Sequence, residues 1–341
     1  MPDAPRILVV SLGSIGRRHL RNARHLLPQA RIAVWRRAGE LPEGADAIVH
    51  DLDAALAFKP DAVIVASPAS EHVRMSTPFV KAGAPLFLEK PLAATSEGIA
   101  PLLDAARGAK GFVMVGYVLR FLPLLGHLRE LIRKGTLGKV RTARVQVGQY
   151  LPDWRPGADY REGVSARKAL GGGALLELSH ELDYATWLFG RPRSLLCSAA
   201  TLSGLEIDVE DSAHVVLEYE AARVLVQLDF LQRAAHMSVE IVGSEATLRA
   251  DLIKETARIH DAARPDGADL EVPPPAPGNE IYLRQFDFFF SKCFPSYRPV
   301  RAGTAGFRDW ADLEQAARVL RLVDRAKAAS AEGRRLDIED A

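Results

Sequence analysis

Short, continuous apolar runs recur through the first third of the chain. They lie at residues 6–12, 31–35, 46–50, 61–67, 85–89 and 111–117. A strand covered on both faces has this pattern, because neither of its faces alternates with solvent. The stretches between the runs, such as "SEHVRMSTPFVKAG" and "SEGIAPLLDAARGAKG", have helical patterns that end near glycine. This alternation of strand and helix predicts an α/β fold with a doubly wound parallel sheet.

The pattern changes after about Tyr117. Apolar and polar residues then alternate in the segments 139–150, 212–220, 223–231, 236–244 and 246–252. Alternation predicts antiparallel strands with one buried face, the other face being polar or used for pairing with a second subunit. Residues 263–278 are rich in Pro and Gly and are interpreted as a surface loop, and two helices are expected near 279–293 and 307–330. We therefore expect a dinucleotide-binding domain at 1–120 and an α+β domain for substrate binding and oligomerisation at 121–341.

Length and composition agree with a two-domain globular protein. The chain has 341 residues, and a single core rarely grows beyond ~250–300 residues. Lys and Arg number 44 against 43 Asp and Glu, so no net field attracts nucleic acid or an anionic membrane. The N-terminus lacks a signal-peptide pattern and the first apolar run is too short to cross a bilayer, so a cytoplasmic protein is expected. The two cysteines, Cys197 and Cys293, make a disulfide framework or a cysteine-based metal site improbable.

A glycine-containing loop follows the first predicted strand. The string "SLGSIGRRHL" opens a helix there, which is the position of a dinucleotide-binding loop. Gly13 would let the backbone approach a pyrophosphate, Gly16 would let the helix pack on the strand, and the helix start at Ser14 and Ile15 would supply free N–H groups. Ser11 stands where the fingerprint has its first Gly. A tight strand–helix turn without a ligand is the alternative interpretation.

Two arginines follow the second predicted strand. An NAD site has Asp or Glu about 20 residues beyond the glycine loop, to bind the ribose 2′-hydroxyl. Here Arg36 and Arg37 stand at that place, and they would pair with a 2′-phosphate. The sequence therefore favours NADP over NAD as the cofactor, unless both arginines are simply solvated in a loop.

Three segments of the chain resemble one known family. They are "VIVASPASEHVRM…VKAGAPLFLEKPLA", "VGYVLRFLPLLGHLRELIRKGTLGKV" and "GGGALLELSHELDYATWLFG". Together they resemble the glucose-fructose oxidoreductase, inositol dehydrogenase and rhizopine-catabolism (Gfo/Idh/MocA) family. The resemblance implies an N-terminal Rossmann domain, a C-terminal domain with a large, mostly antiparallel sheet, and NAD(P)-dependent oxidation or reduction of carbinol carbons in sugars, inositols or nucleotide-sugars.

The resemblance also implies roles for individual residues of the first domain. Ser67, Pro68 and His72 match a cofactor loop near the nicotinamide ribose. Glu89-Lys90-Pro91 matches the motif whose lysine lies beside the nicotinamide and the reacting hydroxyl, and whose proline commonly follows a cis peptide bond. Arg120 matches a cofactor-site arginine of the domain junction. The family often has Asn two residues before that arginine, whereas this chain has Val118.

A helical pattern after Gly171-Gly172-Gly173 supplies the second half of the predicted site. On a helical wheel Glu177, His180, Glu181 and Tyr184 fall opposite an apolar stripe, and the glycines would let a ligand approach the backbone. By resemblance His180 matches the family's active-site histidine. Glu177 stands near the position of its acidic partner, which usually precedes the histidine by four residues rather than three.

These residue types suit hydride transfer. Removing hydride from a carbinol carbon requires loss of the hydroxyl proton, which a neutral histidine with an ordinary pKa of ~6.5 can accept. The ammonium of Lys90 would stabilise the developing alkoxide or share the proton, and Glu177 would orient the imidazole of His180. The alternative for His180 is a solvated helix residue.

The segment before the glycines is rich in aromatic and cationic groups. We expect Trp154, Arg155, Tyr160, Arg161 and Arg167, together with Lys90, His180 and Tyr184, to bind the substrate. Such a segment suits a sugar that bears phosphate or carboxylate, although a solvated basic loop is an equal alternative.

Other chemistries have little support in the sequence. No HExxH string and no GxSxG string occurs, so a metal-free enzyme without serine-hydrolase chemistry is expected. The leading hypothesis is an NAD(P)-dependent dehydrogenase or reductase that assembles as a homodimer or homotetramer through the antiparallel sheet. Two alternatives are redox-assisted cleavage of a glycosidic bond with tightly bound NAD, and a non-catalytic nucleotide-binding sensor, which the retained Lys90 and His180 disfavour.

Overall fold

The computed structural model describes residues 4–276, 278–301, 303–304 and 306–338. The chain forms two compact units. The first comprises Met1–Phe121 and Pro277–Ala317, and the second comprises Leu122–Ala276 and Arg318–Ala341. The sequence pattern predicted that the whole of 121–341 forms the second domain, whereas the segment Pro277–Ala317 groups with the first unit. The reason is a run of buried phenylalanines at 286 and 288–290, which packs into the core of the parallel sheet.

The first unit contains a six-stranded sheet in which every strand pair is parallel. Its strands are β1 (Arg6–Val10), β2 (Arg31–Trp35), β3 (Ala47–Val49), β4 (Ala62–Val65), β5 (Leu86–Leu88) and β6 (Val113–Val115). They lie in the order β3-β2-β1-β4-β5-β6, and Val9 pairs with Ile64 where the order reverses. The central strands are completely buried, as continuous apolar runs require. The predicted doubly wound sheet is confirmed, and ligands of such sheets bind beyond the carboxyl ends of the strands, at the reversal.

Helices connect these strands. They are α1 (Ser14–Leu26), α2 (Leu52–Ala57), α3 (His72–Lys81) and α4 (Ala100–Gly108), and the unit also contains α8 (Glu280–Cys293). Helix α1 lies directly after β1 and packs against α8. The amino end of α1 therefore lies at the ligand-binding edge of the sheet.

The second unit is built on a nine-stranded sheet. Its strands are β7 (Val140–Gly148), β8 (Ser194–Ala200), β9 (Ser212–Glu218), β10 (Arg223–Asp229), β11 (His236–Gly243), β12 (Ala246–Asp251), β13 (Thr256–Asp261), β14 (Arg264–Asp269) and β15 (Leu336–Asp337). They lie in the order β14-β13-β12-β11-β7-β10-β9-β8-β15. Every pairing is antiparallel except that of β7 with β10. The predicted large, mostly antiparallel sheet is confirmed.

Part of the predicted surface loop at 263–278 is a strand. Residues 264–269 form β14, which pairs with β13. The side chains of β14 are mostly exposed, so no apolar alternation announces it. The interpretation of 264–269 as loop was wrong because backbone pairing, rather than side-chain burial, forms this edge strand.

The remaining helices are α5 (Pro123–Arg133), α6 (Ala174–Glu177), α7 (Ser179–Phe189) and α9 (Leu313–Glu332). The pattern after the three glycines predicted one helix, but the structure has two. They meet at Leu178, whose backbone departs from helical geometry at φ −98° and ψ 27°. Helix α7 packs on β7 and β10, which fixes the orientation of its first turn relative to the sheet.

Candidate active site

The glycine-containing loop has the backbone geometry of a tight strand–helix turn. Ser11 adopts a left-handed conformation, with φ +73°, at the position where the fingerprint has glycine. A Cβ added to Gly16 would lie 2.3 Å from the Ser11 carbonyl oxygen, so this close approach requires glycine. A Cβ on Gly13 would meet nothing within 4 Å. Gly13 and Ser14 are exposed at the start of α1 and Ile15 is half-buried, so the helix start presents its free N–H groups outward.

The two arginines after β2 differ in their surroundings. Arg36 is half-buried, and its Nη1 atom donates to the Glu40 carbonyl at 3.3 Å. A Cβ on Gly39, which has φ +111°, would collide with the Arg36 guanidinium. Arg37 is exposed. The guanidinium of Arg36 thus lies along its own loop, and Arg37 extends from it.

The loop after β4 contains a buried hydroxyl and a buried imidazole. The Oγ atom of Ser67 is buried and has no hydrogen-bond partner within the part of the chain that the structure describes. His72, the first residue of α3, is 1% exposed. Its Nδ1 atom lies 2.8 Å from the Pro91 carbonyl oxygen, and its Nε2 atom lies 2.8 Å from the Ser67 carbonyl oxygen. Burial lowers the pKa of His72, against the opposing effects of these carbonyls and of Glu89. His72 therefore joins the loop that begins with Ser67-Pro68 to the turn after β5.

The turn after β5 contains two adjacent charged residues, Glu89 and Lys90, followed by Pro91. We call Glu89, Lys90 and Pro91 the lysine turn. The Lys90–Pro91 peptide bond is cis, in agreement with the resemblance. Lys90 is half-buried, and its backbone N–H donates to Glu89 Oε2 at 3.1 Å. Glu89 itself is 7% exposed, so its carboxylate is a buried group that needs a further partner.

That partner is His19, which the sequence analysis did not identify. Its Nε2 atom lies 2.5 Å from Glu89 Oε1, and the ring is completely buried. The only local signal was a histidine three residues after Gly16 on the inward face of α1. The contact joins residues 70 positions apart, which the sequence pattern does not reveal.

Arg120 is also buried and bonded within the first unit. Its Nη1 atom donates to the Asp309 carbonyl at 3.1 Å and to Gln315 Oε1 at 2.6 Å. These bonds tie the 3-10 turn that follows β6 to the segment before α9, through Asp309, and to the first turn of α9, through Gln315. The role of Arg120 as a cofactor contact stays a prediction.

In the second unit, the predicted acid and histidine lie on either side of the break at Leu178. Glu177 ends α6, and its Oε2 atom accepts a hydrogen bond from the buried Ser165 hydroxyl at 2.7 Å. His180 is the second residue of α7 and is half-buried. Ser165 was not among the predicted site residues. The hypothesis that Glu177 orients His180 stays open.

The helix face opposite the apolar stripe, which the helical wheel predicted to be polar, is largely buried at Glu181 and Tyr184. Glu181 is 1% exposed and Tyr184 is completely buried. The Tyr184 hydroxyl has no hydrogen-bond partner among the described residues, and burial together with the Glu181 charge raises its pKa well above the usual value. The break at Leu178 turns α7 relative to α6, so a single wheel does not describe both helices.

The glycines before α6 pack against their own chain. A Cβ on Gly172 would lie 2.4 Å from the Val164 carbonyl oxygen, and one on Gly173 would lie 2.5 Å from Glu210 Oε1. Gly173 also has φ +104°. The space above these two glycines is therefore filled by the polypeptide, contrary to the interpretation that it admits a ligand.

The residues predicted to bind substrate lie on a series of short 3-10 turns between 151 and 170. Arg161 pairs with Asp159 at 2.7 Å and Glu206 at 2.9 Å, and both carboxylates raise its pKa. Arg167 donates to the Arg161 carbonyl at 2.6 Å, and the Tyr160 hydroxyl accepts from the Glu206 N–H at 3.3 Å. The structure thus brings Tyr160, Arg161 and Arg167 together.

The other two members of this predicted set differ in exposure. Trp154 is half-buried; its Nε1 atom donates to the Gln149 carbonyl at 3.0 Å, and its ring packs edge-on against Phe230. Arg155 is exposed. Trp154 is therefore anchored to the sheet, whereas the guanidinium of Arg155 faces solvent.

The described residues contain no group of three or more His, Cys, Asp or Glu side chains that could hold a metal ion. No helix among them is both long and apolar enough to cross a bilayer.

Comparison with known proteins identifies relatives of both units. Residues 5–117 match the model of the oxidoreductase family with an NAD-binding Rossmann fold, and residues 126–249 match the GFO/IDH/MocA C-terminal domain. Inositol 2-dehydrogenase 2 of Saccharopolyspora erythraea is 30% identical over 240 residues, which cover 67% of each chain. The rhizopine catabolism protein MocA of Rhizobium meliloti is 33% identical over 132 residues, which cover 38% of each chain.

Solved structures share the fold along almost the whole chain. A levoglucosan dehydrogenase in complex with NADH has a TM-score of 0.80 at 19% identity, covering 99% of this chain and 100% of the other. The WlbA dehydrogenase from Bordetella pertussis, in complex with NADH and UDP-GlcNAcA, has a TM-score of 0.77 at 20% identity, with the same coverage. At these identities the structures establish the fold. The family models and the inositol 2-dehydrogenase relative establish more: this chain belongs to the Gfo/Idh/MocA family of NAD-binding oxidoreductases.

Proposed function

We propose that this protein transfers hydride between a nicotinamide cofactor and a carbinol or keto carbon of a carbohydrate-like substrate. The observation that carries the proposal is the location of Lys90. It follows β5 at the same sheet edge as the glycine-containing loop after β1, and it is bracketed by two residues with buried polar contacts. A cationic side chain held at that edge suits a reaction in which negative charge develops on a substrate oxygen.

The residues of the first unit fit a nicotinamide dinucleotide. Ser11, Gly13, Ser14, Ile15 and Gly16 would hold the pyrophosphate, because the start of α1 offers N–H groups and Gly13 has open space beside it. The buried Ser67 hydroxyl, which has no partner among the described residues, would hydrogen-bond a polar group of the cofactor. When bound, the nicotinamide supplies or accepts the hydride. Pro68, Glu89 and Arg120 are proposed to complete this side of the site, and the buried His72 to support the loop that carries Ser67 and Pro68.

The chain's own residues would handle the proton. His180, as a neutral imidazole, would accept the hydroxyl proton during oxidation and return it during reduction. The Lys90 ammonium would stabilise the alkoxide or share that proton. Glu177, held by Ser165, would favour the imidazolium by its charge and orient the ring.

We propose NADP as the preferred cofactor, with NAD as the alternative. Arg36 and Arg37 stand after β2, where an NAD site has a carboxylate for the ribose hydroxyls. Arg37 is exposed and extends from the loop, so its guanidinium can pair with a 2′-phosphate. The relatives solved with NADH favour the alternative. Comparing kcat/KM for NADP and NAD decides between them, and a strong preference for NAD would exclude the NADP assignment.

The proposed substrate class is a sugar, nucleotide-sugar or inositol. The inositol 2-dehydrogenase relative supports a polyol, and the relative solved with UDP-GlcNAcA supports an acidic nucleotide-sugar. The exposed guanidinium groups of Arg155 and Arg167 suit the second, because they can pair with carboxylate or phosphate. Arg161 would have to exchange its contact with Asp159 or Glu206 for such a group. Trp154 and Tyr160 are proposed to supply apolar contacts. Tyr184, which the sequence placed with them, is completely buried and offers no surface to a substrate.

A second subunit is proposed to cover the outer face of the nine-stranded sheet. Leu196 is 40% exposed there, and its register neighbours Val216 and Leu225 are half-buried. A row of apolar side chains on an exposed sheet face favours association of two copies. Light scattering tests the proposed homodimer or homotetramer, and a monomeric mass would exclude both.

One experiment tests the function itself. The purified protein is mixed with NADP or NAD and with a panel of inositols, uncharged sugars, acidic sugars and nucleotide-sugars, and nicotinamide absorbance is followed. A stoichiometric change in absorbance with at least one member of the panel supports a dehydrogenase. Product formed without a net change supports redox-assisted glycosidic cleavage instead, and cofactor binding without any product supports a sensor.

A further inference from the structure

His19 is a buried imidazole with one polar partner among the described residues. The rings of Phe87 and Phe286 lie against it, with centroid distances of 5.4 Å and 4.7 Å. Its Nδ1 atom is buried with no hydrogen-bond partner among the described residues, whereas Nε2 lies 2.5 Å from Glu89 Oε1. A carboxylate only accepts, so the contact with an ionised Glu89 requires the His19 tautomer that carries its proton on Nε2. An apolar side chain would fill this space without burying a polar group, so the histidine is explained by the contact with Glu89.

Glu89 transmits this contact to the backbone of Lys90. Its second oxygen accepts from the Lys90 N–H at 3.1 Å. Gly116 packs closely against the Glu89 side chain, because a Cβ at Gly116 would lie 3.3 Å from the Glu89 carboxylate. The Glu89 side chain is therefore confined between α1, the strand end at Gly116 and the amide of Lys90.

His72 holds the other end of the lysine turn. Its Nδ1 atom faces the Pro91 carbonyl and its Nε2 atom faces the Ser67 carbonyl, each at 2.8 Å. Carbonyl oxygens only accept, and a neutral ring has a single N–H, so the two carbonyls compete for it. The tautomer with its proton on Nδ1 donates to the Pro91 carbonyl and so bonds the lysine turn, with Nε2 left facing the Ser67 carbonyl at the end of β4.

The two histidines contact the two neighbours of Lys90, one on each side. We propose that His19 and His72 are positioning residues, which hold the lysine turn so that the Lys90 ammonium is presented in one fixed place. His19 acts through Glu89, and His72 acts through the Pro91 carbonyl. This inference rests on the proposed function, in which Lys90 stabilises charge on the substrate. It replaces direct cofactor binding as the role of His72.

Matched substitutions separate the contacts. In His19→Gln the side-chain amide nitrogen can occupy the place of Nε2 and donate to Glu89, whereas His19→Leu retains bulk without a donor. In His72→Asn the amide nitrogen corresponds to Nδ1 and retains the Pro91 contact. In His72→Gln it corresponds to Nε2 and retains the Ser67 contact instead. Positioning through Pro91 therefore makes Asn the better replacement.

The variants are compared by steady-state kinetics, by cofactor binding in fluorescence titrations, and by acetylation of Lys90 in the free protein. Acetylation with acetic anhydride is measured by mass spectrometry relative to the exposed Lys134. We expect kcat to be at least tenfold lower in His19→Leu than in His19→Gln, and at least tenfold lower in His72→Gln than in His72→Asn. Relative acetylation of Lys90 should rise at least threefold in the two slow variants, because the half-buried amine becomes more accessible. Cofactor Kd should change less than threefold across each pair.

Three results would overturn the inference. The first is equal kcat and equal acetylation within both pairs. The second is a decrease in kcat that is proportional to the decrease in each variant's urea unfolding midpoint, which indicates a purely structural role. The third is a weaker cofactor Kd with unchanged kcat in both His72 variants, which indicates cofactor binding. If His19→Leu does not fold, the His72 pair decides alone. A Lys90→Met protein with normal turnover would refute the proposed function, and the acetylation comparison would still report whether the histidines hold the lysine.

Discussion

The carbonyl oxygen of Ser11 lies 2.3 Å from the position that a Cβ of Gly16 would occupy. Real Cβ atoms do not approach an oxygen so closely, so Gly16 is determined by the packing of α1 against the strand end. The same loop contains Gly13, whose added Cβ would meet nothing. Two glycines of one motif therefore serve different purposes, and substitution can separate them.

We expect Gly16→Ala to lower the free energy of unfolding by about 1–3 kcal/mol, the usual cost of overpacking. Gly13→Ala should cost less than about 1 kcal/mol, since its backbone is extended and only helix capping changes. It should nevertheless weaken NAD(P) binding about tenfold, because the new methyl group occupies space that a pyrophosphate would need. Urea unfolding and fluorescence titration measure both quantities. Full cofactor affinity in Gly13→Ala would contradict the proposed pyrophosphate position.

Ser11→Gly should stabilise the protein. The left-handed backbone of Ser11 costs a side-chain-bearing residue about 1–2 kcal/mol, and glycine avoids that cost. Glycine in turn loses about 0.5–1 kcal/mol more chain entropy on folding. The net gain should be about 0.5–1 kcal/mol in the free energy of unfolding, measured with urea. A destabilised variant would indicate that the serine hydroxyl contributes a bond of its own.

The stability of the fold should depend on pH through His72. In the unfolded chain this histidine titrates near pKa ~6.5, whereas burial lowers its pKa in the folded protein and the Glu89 carboxylate only partly offsets that effect. As the pH falls below ~6.5, the unfolded chain binds a proton that the folded chain does not, so the free energy of unfolding decreases, by up to ~1.4 kcal/mol per pH unit.

Urea unfolding at pH 7.5 and pH 5.5 measures this effect. The control is His72→Asn, which cannot titrate and should lose this part of the pH dependence. An identical pH profile in the variant would assign the effect to other groups.

Lys90→Met and His180→Ala should each lower kcat by roughly 10²-fold or more, since each removes a group that handles the proton or the developing charge. Lys81→Met is a suitable control, because Lys81 is an exposed residue at the end of α3. Circular dichroism and cofactor affinity should remain close to those of the parent protein in all three. Near-normal turnover in both Lys90→Met and His180→Ala would refute their proposed roles.

Arg36→Ala and Arg37→Ala should each raise the KM for NADP about tenfold or more and leave the KM for NAD nearly unchanged. A charge-assisted bond to phosphate contributes ~1.5–3 kcal/mol, and NAD lacks the 2′-phosphate. Arg31→Ala is the control, because this exposed arginine lies at the opposite end of β2. Equal effects on both cofactors would show that the arginines do not distinguish them.

Much of the first unit could be predicted because its signals are local. A buried parallel strand requires a continuous apolar run. The turn after β1 requires glycine at Gly16 and a residue that tolerates a left-handed backbone at Ser11. The lysine turn was located correctly for the same reason, since Glu89 and Lys90 follow directly on β5.

Less of the second unit was predictable. Strand β8 combines small residues with mixed exposure, and β14 is largely exposed. Both are formed by backbone pairing with a neighbouring strand, and that pairing depends on where the chain returns. The break at Leu178 likewise separates Glu177 from His180, so the two residues lie on different helices and a single helical wheel does not give their relative orientation.

The sequence by itself determined the doubly wound sheet, the strand–helix turn and the position of Lys90, because each depends on residues that adjoin in the chain. Only the tertiary structure decided that His19 holds Glu89 across 70 residues, that His72 joins Ser67 to Pro91, and that the phenylalanines of α8 belong to the first core. A hydrogen bond between residues distant in the chain forms only after the chain connections have brought their strands and helices together. The hydrophobic periodicity of one segment does not indicate which other segment it will contact.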